Sequence, residues 1–168
     1  MLYKLAPFII VSLMFAIPMI SAYVMGRIYE KESLIFTTNH TMGLDMYLIR
    51  HEESNGGERE NDFTVAQWRK ANAIHSYVVT KHAAGVDECQ EIPLTIEDIA
   101  ELNKVCKSIL EDPKNAENLL PTASGFFFGS TSYDEYYLQD LQDTVKMLDY
   151  VELMDREWLH KYYYQASW

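Results

Sequence analysis

The sequence predicts an α+β domain of about three main helices around a short sheet, preceded by one hydrophobic N-terminal helix. Three features carry that reading: an uncharged stretch at 5–24, helical apolar spacing in three later stretches, and short strand-like runs at 44–50 and 125–129. With 168 residues, 48% of them apolar and 23% charged, the chain fits one folded domain of ordinary size behind that first segment.

LAPFIIVSLMFAIPMISAYV, residues 5–24, matches the length that crosses a hydrocarbon core of roughly 30 Å at about 1.5 Å per residue. Pro7 and Pro18 are tolerated in such a span, and Tyr3 and Tyr23 stand where interfacial rings belong. The length favours a retained anchor, 1–24, over a cleaved signal peptide with Lys4 as its n-region and Ile20-Ser21-Ala22 as its cleavage site. A third alternative starts translation at Met42. Residues 25–41 then read as a polar tether and 42–168 as the acidic domain. Arg27, Lys31 and Arg50 after the span, against Lys4 and the amino terminus before it, tip the balance slightly towards a cytoplasmic domain; from a Met42 start it would be cytoplasmic and soluble.

Within the domain, GLDMYLIR (43–50) is rich in strand formers, and HEESNGGEREND (51–62) is a loop built on Asn55-Gly56-Gly57. A helix capped by Asn61 or Asp62 is expected to run through FTVAQWRKANAIHSYVVTKHA to about Ala83. Its spacing sets Trp68, Asn72, His75 and Val79 on one stripe. Gly85 stops it. Thr95 opens a capping-box-like T-I-E-D, from which a helix turns Ile96, Ile99, Leu102, Val105, Cys106 and Ile109 inward until Asp112-Pro113. A short helical turn follows at 114–119. Gly125 and Gly129 bracket three phenylalanines as a short strand, with Ser130, Ser132 or Asp134 capping a last helix from about Asp134. The tail WLHKYYYQASW either extends that helix or clamps it to the core.

Charge narrows the partners. Three of the 14 basic and two of the 25 acidic side chains precede Met42, leaving 11 against 23 in the domain. Such a surface repels phosphate backbones, so nucleic acid is not an expected partner. A small anionic ligand, a basic surface on a host protein, or simple solvation of an acidic domain remain open. Cys89 and Cys106 lack metal-ligand spacing and read as buried or half-buried free thiols; neither a metal nor a cofactor is expected.

No P-loop, GxSxG, HExxH or GxGxxG is present, so no motif assigns a reaction. Two constellations carry polar chemistry. In the first, Trp68 supplies a ring, Arg69 a bidentate fork for phosphate or carboxylate, Asn72 an amide edge, and His75 an acid, base or donor near neutral pH. Core packing of Trp68 and a satisfied imidazole is its bland counterpart. In the second, Ser130, Tyr133, Asp134, Tyr136 and Tyr137 line a helix start, where free N–H groups favour anions and tyrosine faces stack on planar rings. Capping by Ser130 or Asp134 is the alternative there. Asp45, Asp87 and Glu88 are candidate carboxylates of an acid–base pair.

MGLDMYL at 42–48, WRKANAIH at 68–75, GVDEC at 85–89 and LPTASGFFFGSTSYDEYY at 120–137 together resemble an uncharacterised protein family common in tailed phages and prophages. The resemblance covers about 42–150. Members begin at the methionine equivalent to Met42, so the N-terminal span departs from the pattern. The resemblance implies a phage accessory protein and supplies no catalytic residue. Two readings follow: an aromatic–polar pocket for a small anionic or nucleotide-like ligand, or an acidic, membrane-tethered module that binds and inhibits a host protein.

Overall fold

A computed structural model describes residues 43–53, 59–125, 128–155 and 160–168. The segments 5–24 and 25–41 lie outside the described residues. Among the described residues no helix is long and apolar enough to cross a membrane.

The architecture is α+β. The chain runs β1 (Asp45–Glu53), β2 (Arg59–Arg69), α1 (Asn72–His82), β3 (Ile92–Leu94), α2 (Ile96–Glu111), a 3-10 turn (Pro113–Asn115), α3 (Ala116–Leu119), α4 (Glu135–Met154) and β4 (Lys161–Ser167). The strands form one antiparallel sheet in the order β2-β1-β4-β3. One face of it, carrying Leu48, Trp68 and Tyr164, meets Ile74 of α1, Leu102 of α2 and Leu148 of α4 around a cavity of about 10 Å³. That space is about the size of one water.

The strand at 44–50 and the two helices after Thr95 and Asp134 stand as their sequences predict. The capping box is complete: Asp98 N donates to Thr95 Oγ1 at 3.2 Å, and Thr95 N to Asp98 at 2.9 Å. Val105 is only partly buried, and Asn103 takes a buried place on the inward face of α2.

Three expectations need correction. The helix expected from 62 to 83 is a strand followed by a helix. Phe63, Thr64, Ala66 and Trp68 pair along β1, with Met46 opposite Trp68 and Val65 left as the bulged residue between Thr64 and Ala66. Lys70 then takes φ 61 and donates its N–H to Leu44 O at 2.8 Å, which breaks the helical period before Asn72. Tertiary pairing outweighs a helix propensity worth only tenths of a kcal/mol per residue.

The tail is the second correction. It does not extend α4 but supplies β4, an interior strand between β1 and β3, and it holds the end of α4, where His160 Nδ1 lies 2.8 Å from Asp155 Oδ1. Tyr162, Tyr164 and Ala166 point inward, with Lys161, Tyr163, Gln165 and Ser167 between them.

The third concerns GFFFG. Gly125, Phe128 and Gly129 belong to no strand; Phe128 N reaches back to Gly125 O at 3.3 Å in a turn, while Phe126 and Phe127 lie outside the described residues. Gly129 sits at φ +90 with the position of an added Cβ 3.2 Å from Lys70 Cβ, so a side chain there would strain the backbone and need Lys70 to give way by a few tenths of an ångström. The two left-handed turns, Lys70 and Gly129, press this loop onto the start of α1.

Candidate functional site

Asn72 opens α1 without any side-chain cap beneath it, and its amide reaches across to the 122–130 loop. Nδ2 donates to Phe128 O at 3.0 Å and to Ser130 O at 2.7 Å, while Oδ1 accepts from Ala123 N at 3.0 Å. Both amide hydrogens are used, and the oxygen is engaged. Asn72 therefore staples the loop to the helix.

His75, one turn on, is 2% exposed. Its Nδ1 lies 2.7 Å from the Tyr164 hydroxyl and its Nε2 2.9 Å from Asp87 Oδ2. A carboxylate can only accept, so Nε2 carries a hydrogen; in the neutral ring Nδ1 then accepts from the phenol. Phe128 meets the imidazole edge-on at 5.1 Å between centroids, and Trp168 at 5.9 Å. Burial, and then the charge of Asp87, drive the Tyr164 phenol well above its ordinary pKa. Asp87–His75–Tyr164 is a relay in outline, but Tyr164 is 1% exposed and the line ends in the core.

Trp68 and Arg69 part company once they stand on a strand, since neighbouring residues point to opposite faces. Trp68 turns inward and donates from Nε1 to Thr144 Oγ1 of α4 at 2.8 Å. Arg69 lies on the other face opposite Asp45, with Nε 3.9 Å from its carboxylate. It does not join Asn72 and His75, and Asp45 serves it as a counter-charge.

At the start of α4 the Asp134 carboxylate accepts from Tyr136 N at 3.0 Å and Tyr137 N at 3.2 Å. The N–H groups that would receive an anion are thus occupied by the chain's own capping group. Tyr137 is buried and donates its hydroxyl to Leu120 O at 2.9 Å. Tyr133 packs on it at 5.1 Å and accepts from Thr122 N at 3.3 Å. Ser130 Oγ accepts from Ser132 N at 3.1 Å in a local turn. Tyr136 is different: it stands 72% exposed.

The structure thus brings Asn72, His75, Phe128 and Ser130 together, as polar groups on an aromatic stripe require, and leaves Arg69 out. It adds Tyr164 and Trp168, whose only signal in the sequence was the alternation of the tail. Among the described residues no group of three or more His, Cys, Asp or Glu is placed to hold a metal ion. Cys106 is buried, its thiol pushed up to about 12 by burial, whereas Cys89 lies on the surface and not inside.

No family model matches this chain, and no curated protein or solved structure does.

Asp140, one turn beyond Tyr136, is partly buried and its carboxyl is raised to about 6, first by burial and then by Asp143 and Asp134. A folded-state value above the unfolded one means that the folded domain holds this proton more tightly. The stabilising contribution is full below about pH 4 and is lost as the pH rises through about 6. Asp140→Asn should therefore raise stability by about 1 kcal/mol near pH 8, after discounting for solvent screening, and leave it unchanged near pH 4. Urea unfolding of both proteins at the two pH values measures this; equal stability near pH 8 would refute it.

Proposed function

We propose that the chain is a phage or prophage accessory protein that works as an acidic protein-interaction module, tethered to a membrane through 5–24 and directed at a host protein. The observation that supports this reading is how the aromatic–polar motif divides. Its inner members are satisfied inside the domain: Asn72 bonds Phe128 O, Phe128 packs on His75, His75 bonds Tyr164, Tyr137 bonds Leu120 O, and Asp134 fills its own helix start. Its outer members, Tyr133 and Tyr136, face solvent at 42% and 72% exposure in a strongly acidic neighbourhood. Exposed tyrosine is contact surface of the kind enriched at protein interfaces.

The small-anion reading draws support from the convergence of Asn72 and His75 with the 128–130 loop. It loses Arg69, which faces elsewhere and pairs with Asp45, and keeps Lys70, whose side chain lies against Gly129, as the basic group beside the loop.

One experiment separates the two readings. A benzophenone side chain installed at Tyr136 in the full-length chain should yield discrete protein adducts in the host cell. The same group at Glu111, an exposed residue on α2, should not. A thermal-shift screen of nucleotides and sugar phosphates should give no stabilisation. Absence of adducts, with stabilisation by one compound that His75→Ala abolishes, would reverse the assignment.

A further inference from the structure

Between Lys114 and Lys146 the chain contains no lysine, arginine or histidine, but it contains Glu117, Asp134, Glu135, Asp140 and Asp143. Two of these, Asp140 and Asp143, stand on one stripe of α4. Tyr136, Gln139, Asp140 and Asp143 follow the i, i+3, i+4, i+7 spacing of a single helix face, and Tyr133 lies just before it. Asp143 is already served, by Gln139 Nε2 at 3.0 Å and Lys146 Nζ at 2.8 Å. The Asp140 carboxylate receives no hydrogen bond or ion pair from any described residue, although it is partly buried between like charges. An uncompensated carboxylate costs free energy that a cation from outside would recover.

We propose that this face of α4 docks an arginine side chain from a basic segment of the partner protein, with the guanidinium stacked on Tyr136 and hydrogen-bonded to Asp140. The proposal rests on the interaction reading above and names the chemistry of the partner. Charge complementarity selects the class: 23 acidic against 11 basic side chains after Met42 attract a basic segment from a distance. Geometry selects arginine over lysine. Side chains one turn apart on a helix have Cβ atoms about 5–6 Å apart. A planar guanidinium can lie on the ring and still direct two N–H groups at the carboxylate, whereas an ammonium offers no flat face to stack.

The test uses the full-length chain and two synthetic peptides of equal length and charge, one with arginines spaced by glycine and serine, the other with lysines at the same positions. Fluorescence anisotropy at low and moderate salt should show the arginine peptide binding at least about threefold tighter than the lysine peptide. Tyr136→Ala and Asp140→Asn should each weaken the arginine peptide by roughly tenfold. Asp143→Asn, which removes a carboxylate already paired to Lys146, should have a smaller effect than Asp140→Asn. Circular dichroism keeps misfolding apart from lost contact, and Tyr136, being 72% exposed, carries little of the core. Equal binding of the two peptides, or binding indifferent to Tyr136→Ala and Asp140→Asn, overturns the arginine assignment. The adducts at position 136 then judge the interaction reading independently. Failure of both peptides to bind at low salt also overturns the assignment.

Discussion

Asn72→Ala should destabilise the domain by about 2–4 kcal/mol, the largest single loss expected from a polar side chain here. The substitution removes a hydrogen bond to each of three backbone groups, Phe128 O, Ser130 O and Ala123 N. A buried group left without a partner costs about 1–3 kcal/mol, and part of that is recovered where the 122–130 loop can admit water. The remaining loss falls on one element. The loop is pressed on the start of α1, where Gly129 abuts Lys70, so detaching it also uncovers Phe128 and the imidazole it covers. Asn72→Asp should be at least as damaging, because a carboxylate has no hydrogen to give the two carbonyls. Urea unfolding gives the magnitude, and amide exchange gives its location, with protection lost first across 122–130. A loss below about 0.5 kcal/mol for Asn72→Ala would mean the amide does not hold the loop.

What the sequence disclosed and what it withheld divide along local and non-local lines. β1, the capping box at Thr95 and the Asp134 cap are encoded within a few residues of themselves, and each stands where its residues place it. The stretch 62–83 contains residues acceptable to either structure, and the choice was made by β1, from which it is separated by a loop. That choice altered the candidate site. On a helix Trp68, Asn72 and His75 share a stripe with Arg69 close by; on a strand Trp68 and Arg69 face opposite ways, and the arginine leaves the site. The convergence of Asn72 and His75 with the aromatic motif was legible nonetheless, because polar groups on a buried face must find partners. Their partners were not. Tyr164 lies 89 residues from His75, and only the inward–outward alternation of Tyr162, Tyr164 and Ala166 marks it as a strand residue aimed at the core.

The buried His75–Tyr164 pair gives a prediction in which sign matters more than size. Tyr164→Phe keeps the ring and deletes only the hydroxyl, so it opens little cavity but leaves Nδ1 of a 2%-exposed imidazole unpartnered. The expected cost is about 1–3 kcal/mol. His75→Phe should cost a similar amount for the complementary reason. It orphans the Tyr164 hydroxyl, which is sealed from water, whereas Asp87, its side chain 26% exposed, can turn to solvent. The double variant His75→Phe/Tyr164→Phe removes both polar ends together and sets apolar rings beside Phe128 and Trp168, where edge-on ring contacts are already the rule. It should be more stable than either single variant and close to the parent. A double-mutant cycle by urea unfolding measures the coupling, expected at about 1–3 kcal/mol in the direction of rescue. Simple addition of the two losses would mean that the rings, and not the hydrogen bond, carry the energy. Asp87→Asn supplies the remaining corner, because an amide oxygen can still accept from Nε2 and the domain should lose little at neutral pH. If Asp87→Asn instead matched the loss from Tyr164→Phe, the imidazole would be held as a cation between its two acceptors. The line from Asp87 to Tyr164 would then be a charged element of the core and not a neutral one.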